Sequence, residues 1–116
     1  MATYTREELV RSALLEIGAL DANEAPDAAD GALTDDRAQM VMEDLYEQGL
    51  LPFDIEGAIP GIYFRPLVQI VADAIALPFG RPGREEYAAK AQRAVKRLWG
   101  IRQRAYVPTV TQATYF

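Results

Sequence analysis

The stretch Arg84-Glu-Glu-Tyr-Ala-Ala-Lys-Ala-Gln-Arg-Ala-Val-Lys-Arg-Leu-Trp-Gly-Ile-Arg-Gln-Arg104 carries the clearest period in the chain. Tyr87, Ala91, Ala94, Val95, Leu98, Ile101 and Ala105 recur on one face over roughly five helical turns, as an amphipathic helix requires. Lys90, Arg93, Arg97 and Arg104 form a second stripe at helical spacing, with Lys96 beside it. Glu86 lies one turn before Lys90 and supports it as an i,i+4 pair. This fourth helix needs partners for its apolar face, and the preceding residues supply them.

Pro78-Phe-Gly-Arg-Pro-Gly83 reads as a turn. Before it, Tyr63, Phe64, Leu67, Val68, Ile70, Val71, Ala74, Ile75 and Leu77 make the segment at about 60–78 apolar nearly all round, with only Gln69 and Asp73 marking a wet strip. Such a helix is central and buried. Pro66 is tolerable there if it falls within the first turn or so. The connector 50–62 is rich in apolar residues, but Pro52, Gly57, Pro60 and Gly61 keep most of it irregular. Its Leu51, Phe53, Ile55 and Ile59 are expected to plug the ends of the bundle.

Asp27 is expected to cap a second helix that runs to Gly49, with Ala38, Val41, Met42 and Leu45 inward. Leu33 and Met40 fall roughly opposite, a two-sided pattern suited to a helix with a neighbour on its outer side. Residues 19–30 form an acidic, small-residue linker. The first helix starts at a capping box, Thr5 with Glu8, and Glu7 and Glu8 complement its dipole. Leu9, Val10, Ala13, Leu14, Ile17 and Leu20 share its inner face, Leu15 lies opposite, and Gly18 is the expected left-handed C′ residue. The fold class is therefore all-α, a four-helix bundle-like domain over residues 1–105.

After residue 105 the composition changes. Tyr106-Val-Pro-Thr-Val-Thr-Gln-Ala-Thr-Tyr-Phe116 replaces charges with threonine, valine and aromatics, and Pro108 is read as excluding helix. The expectation is an extended C-terminal docking tail, residues 106–116, reaching about 35 Å when fully stretched.

The chain has 116 residues, half of them apolar and a quarter charged, with no cysteine and no histidine. That composition leaves no disulfide, no thiolate nucleophile, no Cys/His zinc site and no Ser-His or Cys-His pair. The N-terminal residues are polar and acidic rather than signal-like, no apolar run nears a membrane span, and a cytosol-like compartment is expected. Net charge is −5, but residues 1–60 hold 14 acids and 3 bases while residues 61–116 hold 3 acids and 9 bases. Two readings stand: two solvated faces that differ, or surfaces that steer and register a partner.

No catalytic constellation is legible, and neither a cofactor nor a metal is expected. The carboxylate pairs Glu7/Glu8, Asp35/Asp36, Glu43/Asp44 and Glu85/Glu86 fall at helix starts or on polar faces, where capping and solvation account for them. The glycines match no phosphate-binding or dinucleotide pattern. Asp27, Asp30, Asp35 and Asp36 lack EF-hand spacing, which favours a solvated linker over a cation site. The basic stripe has three readings: nucleic-acid phosphates, an acidic protein surface, or a solvated face. Trp99 and Tyr87 are expected to pack on or beside the core rather than stack on bases.

One layout runs through the whole chain: Thr-Arg-Glu-Glu-Leu-Val…Leu-Leu-Glu-Ile-Gly (5–18), Asp-Ala-Ala-Asp (27–30), Glu-Gln-Gly-Leu (47–50), Ile59-Pro60 before an apolar helix, an Arg/Ala-rich helix and a final Thr-Tyr-Phe. It resembles the head-to-tail adaptor family of tailed bacteriophages, also called connectors or tail accessory factors. The resemblance implies a non-enzymatic structural virion protein, made in the host cytoplasm and built into the neck. It would form a ring of about twelve copies on the portal protein, meet the next neck or tail protein, extend the DNA channel close to packaged DNA, and touch no membrane. The portal-docking residues it implies are Tyr106, Val107, Pro108, Thr109, Val110, Thr111, Tyr115 and Phe116. Lys90, Arg93, Lys96, Arg97 and Arg104 would face the portal or the channel. The alternative is a small helical nucleic-acid-binding regulator that uses the basic face of the fourth helix.

Overall fold

The structure, a computed structural model, describes the backbone of residues 2–113 and the side chains of residues 2–104. Helix α1 spans Arg6–Glu16, α2 Ala28–Glu47, α3 Gly61–Ala76 and α4 Arg84–Ala113. Two short strands, β1 (Thr3–Tyr4) and β2 (Ile59–Pro60), pair antiparallel with Thr3 opposite Pro60 and Tyr4 opposite Ile59. The all-α, bundle-like reading is thus the observed class.

Local chemistry sets the helix ends. Thr5 and Glu8 form the full capping box, each side chain accepting from the other's backbone N–H. At the far end of α1, Gly18 (φ 72°) donates to the Leu15 carbonyl and Ala19 to the Leu14 carbonyl, closing a Schellman motif. The pattern repeats after α2, where Gly49 (φ 76°) donates to Tyr46 and Leu50 to Leu45. Leu45 and Leu50 are both buried, the apolar contact that accompanies such a cap. Asp27 is the N-cap residue of α2, though its side chain makes no capping bond.

Helix α3 is the hub: it packs against each of the other three helices, whereas α4 lies chiefly on α3. Helices α1 and α2 also pack on each other, and α4 joins the assembly chiefly through α3. Leu67, Val68, Val71 and Ile75 of α3 meet Leu9 and Leu14 of α1, Met42 of α2 and Leu98 of α4 in one continuous core. Fully burying each large aliphatic side chain contributes about 1.5–3 kcal/mol. From the connector, Leu50, Leu51 and Ile59 are buried, while Phe53 and Ile55 pack partly exposed against the same core. Pro66 falls in the second turn of α3, not the first, so the Ile62 carbonyl loses its helical N–H donor; Ile62 is exposed on the bundle surface.

Two contacts clamp the N-terminus to the start of α3. Gly61 donates to the Ala2 carbonyl at 3.0 Å, and a Cβ on Gly61 would stand only 3.1 Å from that oxygen. The Tyr4 and Phe64 rings stack with centroids 4.0 Å apart. Nothing in the local sequence announces this ladder of two residues per strand.

The expected extended tail is corrected. Helix α4 continues through Ala113, so the boundary at residue 105 is not an end of helix. Each residue added to an existing helix gains a hydrogen bond without a new nucleation cost. Pro108 leaves the Arg104 carbonyl without its helical N–H donor and crowds it, but the backbone stays helical past it. Residues 114–116, with Tyr115 and Phe116, lie outside the described residues, as do the side chains of Tyr106, Val107, Pro108, Thr109, Val110 and Thr111.

Candidate functional site: the exposed charged faces of α2 and α4

Helix α4 starts after Gly83, whose carbonyl accepts from the N–H groups of Glu86 and Tyr87. Glu85 and Glu86 in its first turn oppose the positive end of the dipole. Ala91, Ala94, Leu98 and Ile101 are buried on α3, with Tyr87 and Val95 partly so, which is the face expected from the period. The helix is 30 residues long against 16 for α3, a difference of roughly 20 Å at 1.5 Å per residue.

The basic residues of α4 divide into two groups. Lys90 is partly buried and tied into the bundle, with its Nζ 3.8 Å from Glu16 and 3.7 Å from Glu86. Glu16 also accepts from Arg65 at 3.4 Å, so Lys90 belongs to a network joining α1, α3 and α4 rather than to a free stripe. Arg93, Lys96, Arg97 and Arg104 are exposed, and none of them forms an ion pair among the described residues. Gly100 lies among them, and a Cβ there would meet nothing within 4 Å.

Trp99 departs from expectation. It is 39 % exposed rather than a core residue, and the Arg102 guanidinium lies 5.2 Å from its ring centroid, a cation–π pair. Arg102 also approaches Gly49 at the end of α2. Tyr87 packs against the core as expected.

The acids also divide. Asp35 pairs with Arg6 at 3.2 Å, and the same guanidinium donates to Gln39 Oε1 and to the Ile55 carbonyl, pinning α1 to α2 and the connector. Sequence reading passed over Arg6, because its partners lie 29 to 49 residues away. Arg11 donates to the carbonyls of Ala22 and Glu24 and holds the linker against α1. Glu8 is a cap, and Asp44 accepts from Gln48. In contrast, Asp36, Glu43 and Glu47 on the outer face of α2 are exposed, as is Met40 at 61 %.

An open groove of about 400 Å³ runs between α1 and the start of α2, floored by Val10, Pro26, Ala28 and Ala32 and edged by Glu7, Arg11, Asp27 and Asp35. Arg11 and Asp35 are already engaged, so the groove has few polar groups left to fix a ligand. Among the described residues, no group of three or more acids is placed to share a metal ion. Among them too, no helix is long and apolar enough to cross a membrane.

No family model matches the chain, and no curated protein or solved structure shows significant similarity to it.

Proposed function

We propose that the chain is a structural virion protein of a tailed-phage neck. In this reading it is a non-enzymatic head-to-tail adaptor that assembles as a ring on the portal protein, carries the DNA channel toward the next neck or tail protein and helps retain packaged DNA. The observation behind the proposal is the division of exposed charge between two helices. Exposed Arg93, Lys96, Arg97 and Arg104 of α4 lack ion-pair partners among the described residues, and Asp36, Glu43 and Glu47 of α2 are exposed. A polarised subunit of this kind suits head-to-tail assembly, which closes into a ring when the rotation permits. The layout of motifs along the sequence adds the neck context and the portal as partner.

A second reading keeps some support from the Trp99–Arg102 pair, an exposed cation–aromatic platform beside basic residues. It makes the chain a nucleic-acid-binding regulator. The net charge of −5 and the acidic outer face of α2 weigh against it.

Mixing the full chain with the portal protein encoded by the same genome, and imaging the mixture by electron microscopy, separates the two. The adaptor reading expects a ring of added density coaxial with the portal. A bare portal, together with tight salt-dependent binding of duplex DNA by the chain alone, would replace it with the regulator.

A further inference from the structure

The outer faces of α2 and α4 carry the same spacing with opposite charge. On α2, Asp36, Met40, Glu43 and Glu47 follow one another at steps of four, three and four residues. On α4, Arg93, Arg97, Gly100 and Arg104 follow at the same steps. Each set is one helical stripe about 16 Å long. Seven of the eight residues are exposed and Gly100 is partly so. Within one molecule α2 and α4 each pack on α3 and share little direct contact, and the exposure of the stripe residues shows that neither stripe covers the other.

We infer that the α4 stripe of one copy docks antiparallel on the α2 stripe of a second copy. Antiparallel, Asp36 faces Arg104, Glu43 faces Arg97 and Glu47 faces Arg93. The same register sets Met40 opposite Gly100. Parallel packing fails this test, since it would put Met40 on Arg97 and leave Glu43 on the glycine.

The Met40–Gly100 pairing accounts for two features the isolated fold leaves unexplained. Met40 is a large apolar side chain standing in solvent between acids. Gly100 is a helix-interior glycine that costs about 1 kcal/mol relative to alanine. Among the described residues no neighbour requires it, because a Cβ there meets open space. Against a second copy, its missing side chain lets two helices approach closely and leaves room for the methionine. The contact is heterologous, joining different surfaces of the two copies, so it propagates from copy to copy. Nucleic acid is the poorer occupant of the stripe: it offers no counterpart to Met40, and the complementary acids are carried by the chain itself.

This inference rests on the adaptor reading only in requiring that copies associate, and it is tested without portal or DNA. The chain contains no cysteine, so Met40→Cys and Gly100→Cys supply the only thiols in their respective variants. Both sites are open, and circular dichroism checks that each variant folds before it is used. Mixed under mild oxidation, the two variants are expected to form a disulfide-linked heterodimer, while each alone forms little. In sedimentation velocity at low salt, Arg97→Glu and Glu43→Arg should each weaken self-association roughly tenfold, and the double swap should restore most of it.

Overturning results are equally concrete. Cross-linking of Met40→Cys to itself, with none to Gly100→Cys, would mean a different interface. Single swaps that leave self-association unchanged while Arg97→Glu abolishes binding to a duplex DNA probe would assign the stripe to nucleic acid. Self-association through another surface would refute this contact and leave the adaptor reading standing. No self-association together with no binding to portal would refute both.

Discussion

The α1–linker–α2 entrance and the exposed face of α4 use charge in different ways. In the first region, Arg6 holds Asp35, Gln39 and the connector, Arg11 holds the linker, and Glu16 gathers Arg65 and Lys90. Those charges are spent inside the molecule, where they register α1 against α2, the linker, the connector, α3 and α4. Past Lys90, most bases of α4 have no such duty: Arg102 stacks on Trp99, but the helix is held on α3 by Ala91, Ala94, Leu98 and Ile101, and Arg93, Lys96, Arg97 and Arg104 stand free of ion pairs among the described residues. Where a fold does not consume its charges, those charges are available to a partner. The same contrast separates Asp35, which is engaged, from Asp36, which is exposed beside it.

The largest effect that can test this contrast is in the α4 core. Leu98 is fully buried, and Leu98→Ala should destabilise by roughly 2–5 kcal/mol through lost transfer energy and a residual cavity. Arg93→Ala should stay within about 0.5 kcal/mol in the same urea melts, as expected of an exposed residue with no special contact. If the order were reversed, the two faces of α4 would have been exchanged.

The next effect down compares two arginines directly. Arg6→Ala should cost about 1–3 kcal/mol, because it leaves part-buried acceptors in α2 and the connector unsatisfied. Arg97→Ala should cost almost nothing. Equal losses in thermal melts would erase the distinction between spent and unspent charge.

Much of this organisation was legible in the sequence, and the reasons are local. The Thr5–Glu8 box, the cap at Gly18, the end of the second helix near Gly49 and the apolar period from Tyr87 through Ile101 are each decided within a few residues. What escaped was long-range or depended on competition. The β1–β2 ladder is too short to show alternation, and the Tyr4–Phe64 stack joins residues 60 positions apart. Lys90 fits the basic stripe by spacing, but Glu16 of another helix claims it. Trp99 looks like core by size, yet its position on α4 turns it outward beneath Arg102. Pro108 reads locally as a break, yet the backbone of α4 continues as helix through it to Ala113.

A smaller effect concerns pH. Burial beside Phe53 (ring centroids 5.2 Å apart) pushes the Tyr63 phenol above its ordinary value. The folded state thus holds this proton more tightly than the unfolded chain, which titrates near pH 10. The associated stability is fully present below that pH and is lost as pH rises through the folded-state value. The melting temperature of the native chain should fall more steeply above pH 10 than that of Tyr63→Phe, which keeps the ring and lacks the proton. Parallel curves for the two proteins would remove Tyr63 from the account.

The central claim is that the unspent charges act in assembly, and the kinetics of binding to portal test it most directly. Biolayer interferometry on immobilised portal gives association and dissociation rates for the full chain across a salt series. Salt at about 0.5 M shortens the screening length to roughly 4 Å. The account predicts that association slows steeply over this range, that preformed complexes change much less, and that the double variant Arg93→Glu/Arg97→Glu starts slow and has little salt dependence left to lose. An association rate indifferent both to salt and to those substitutions would contradict the claim and leave the charge division a property of solubility alone.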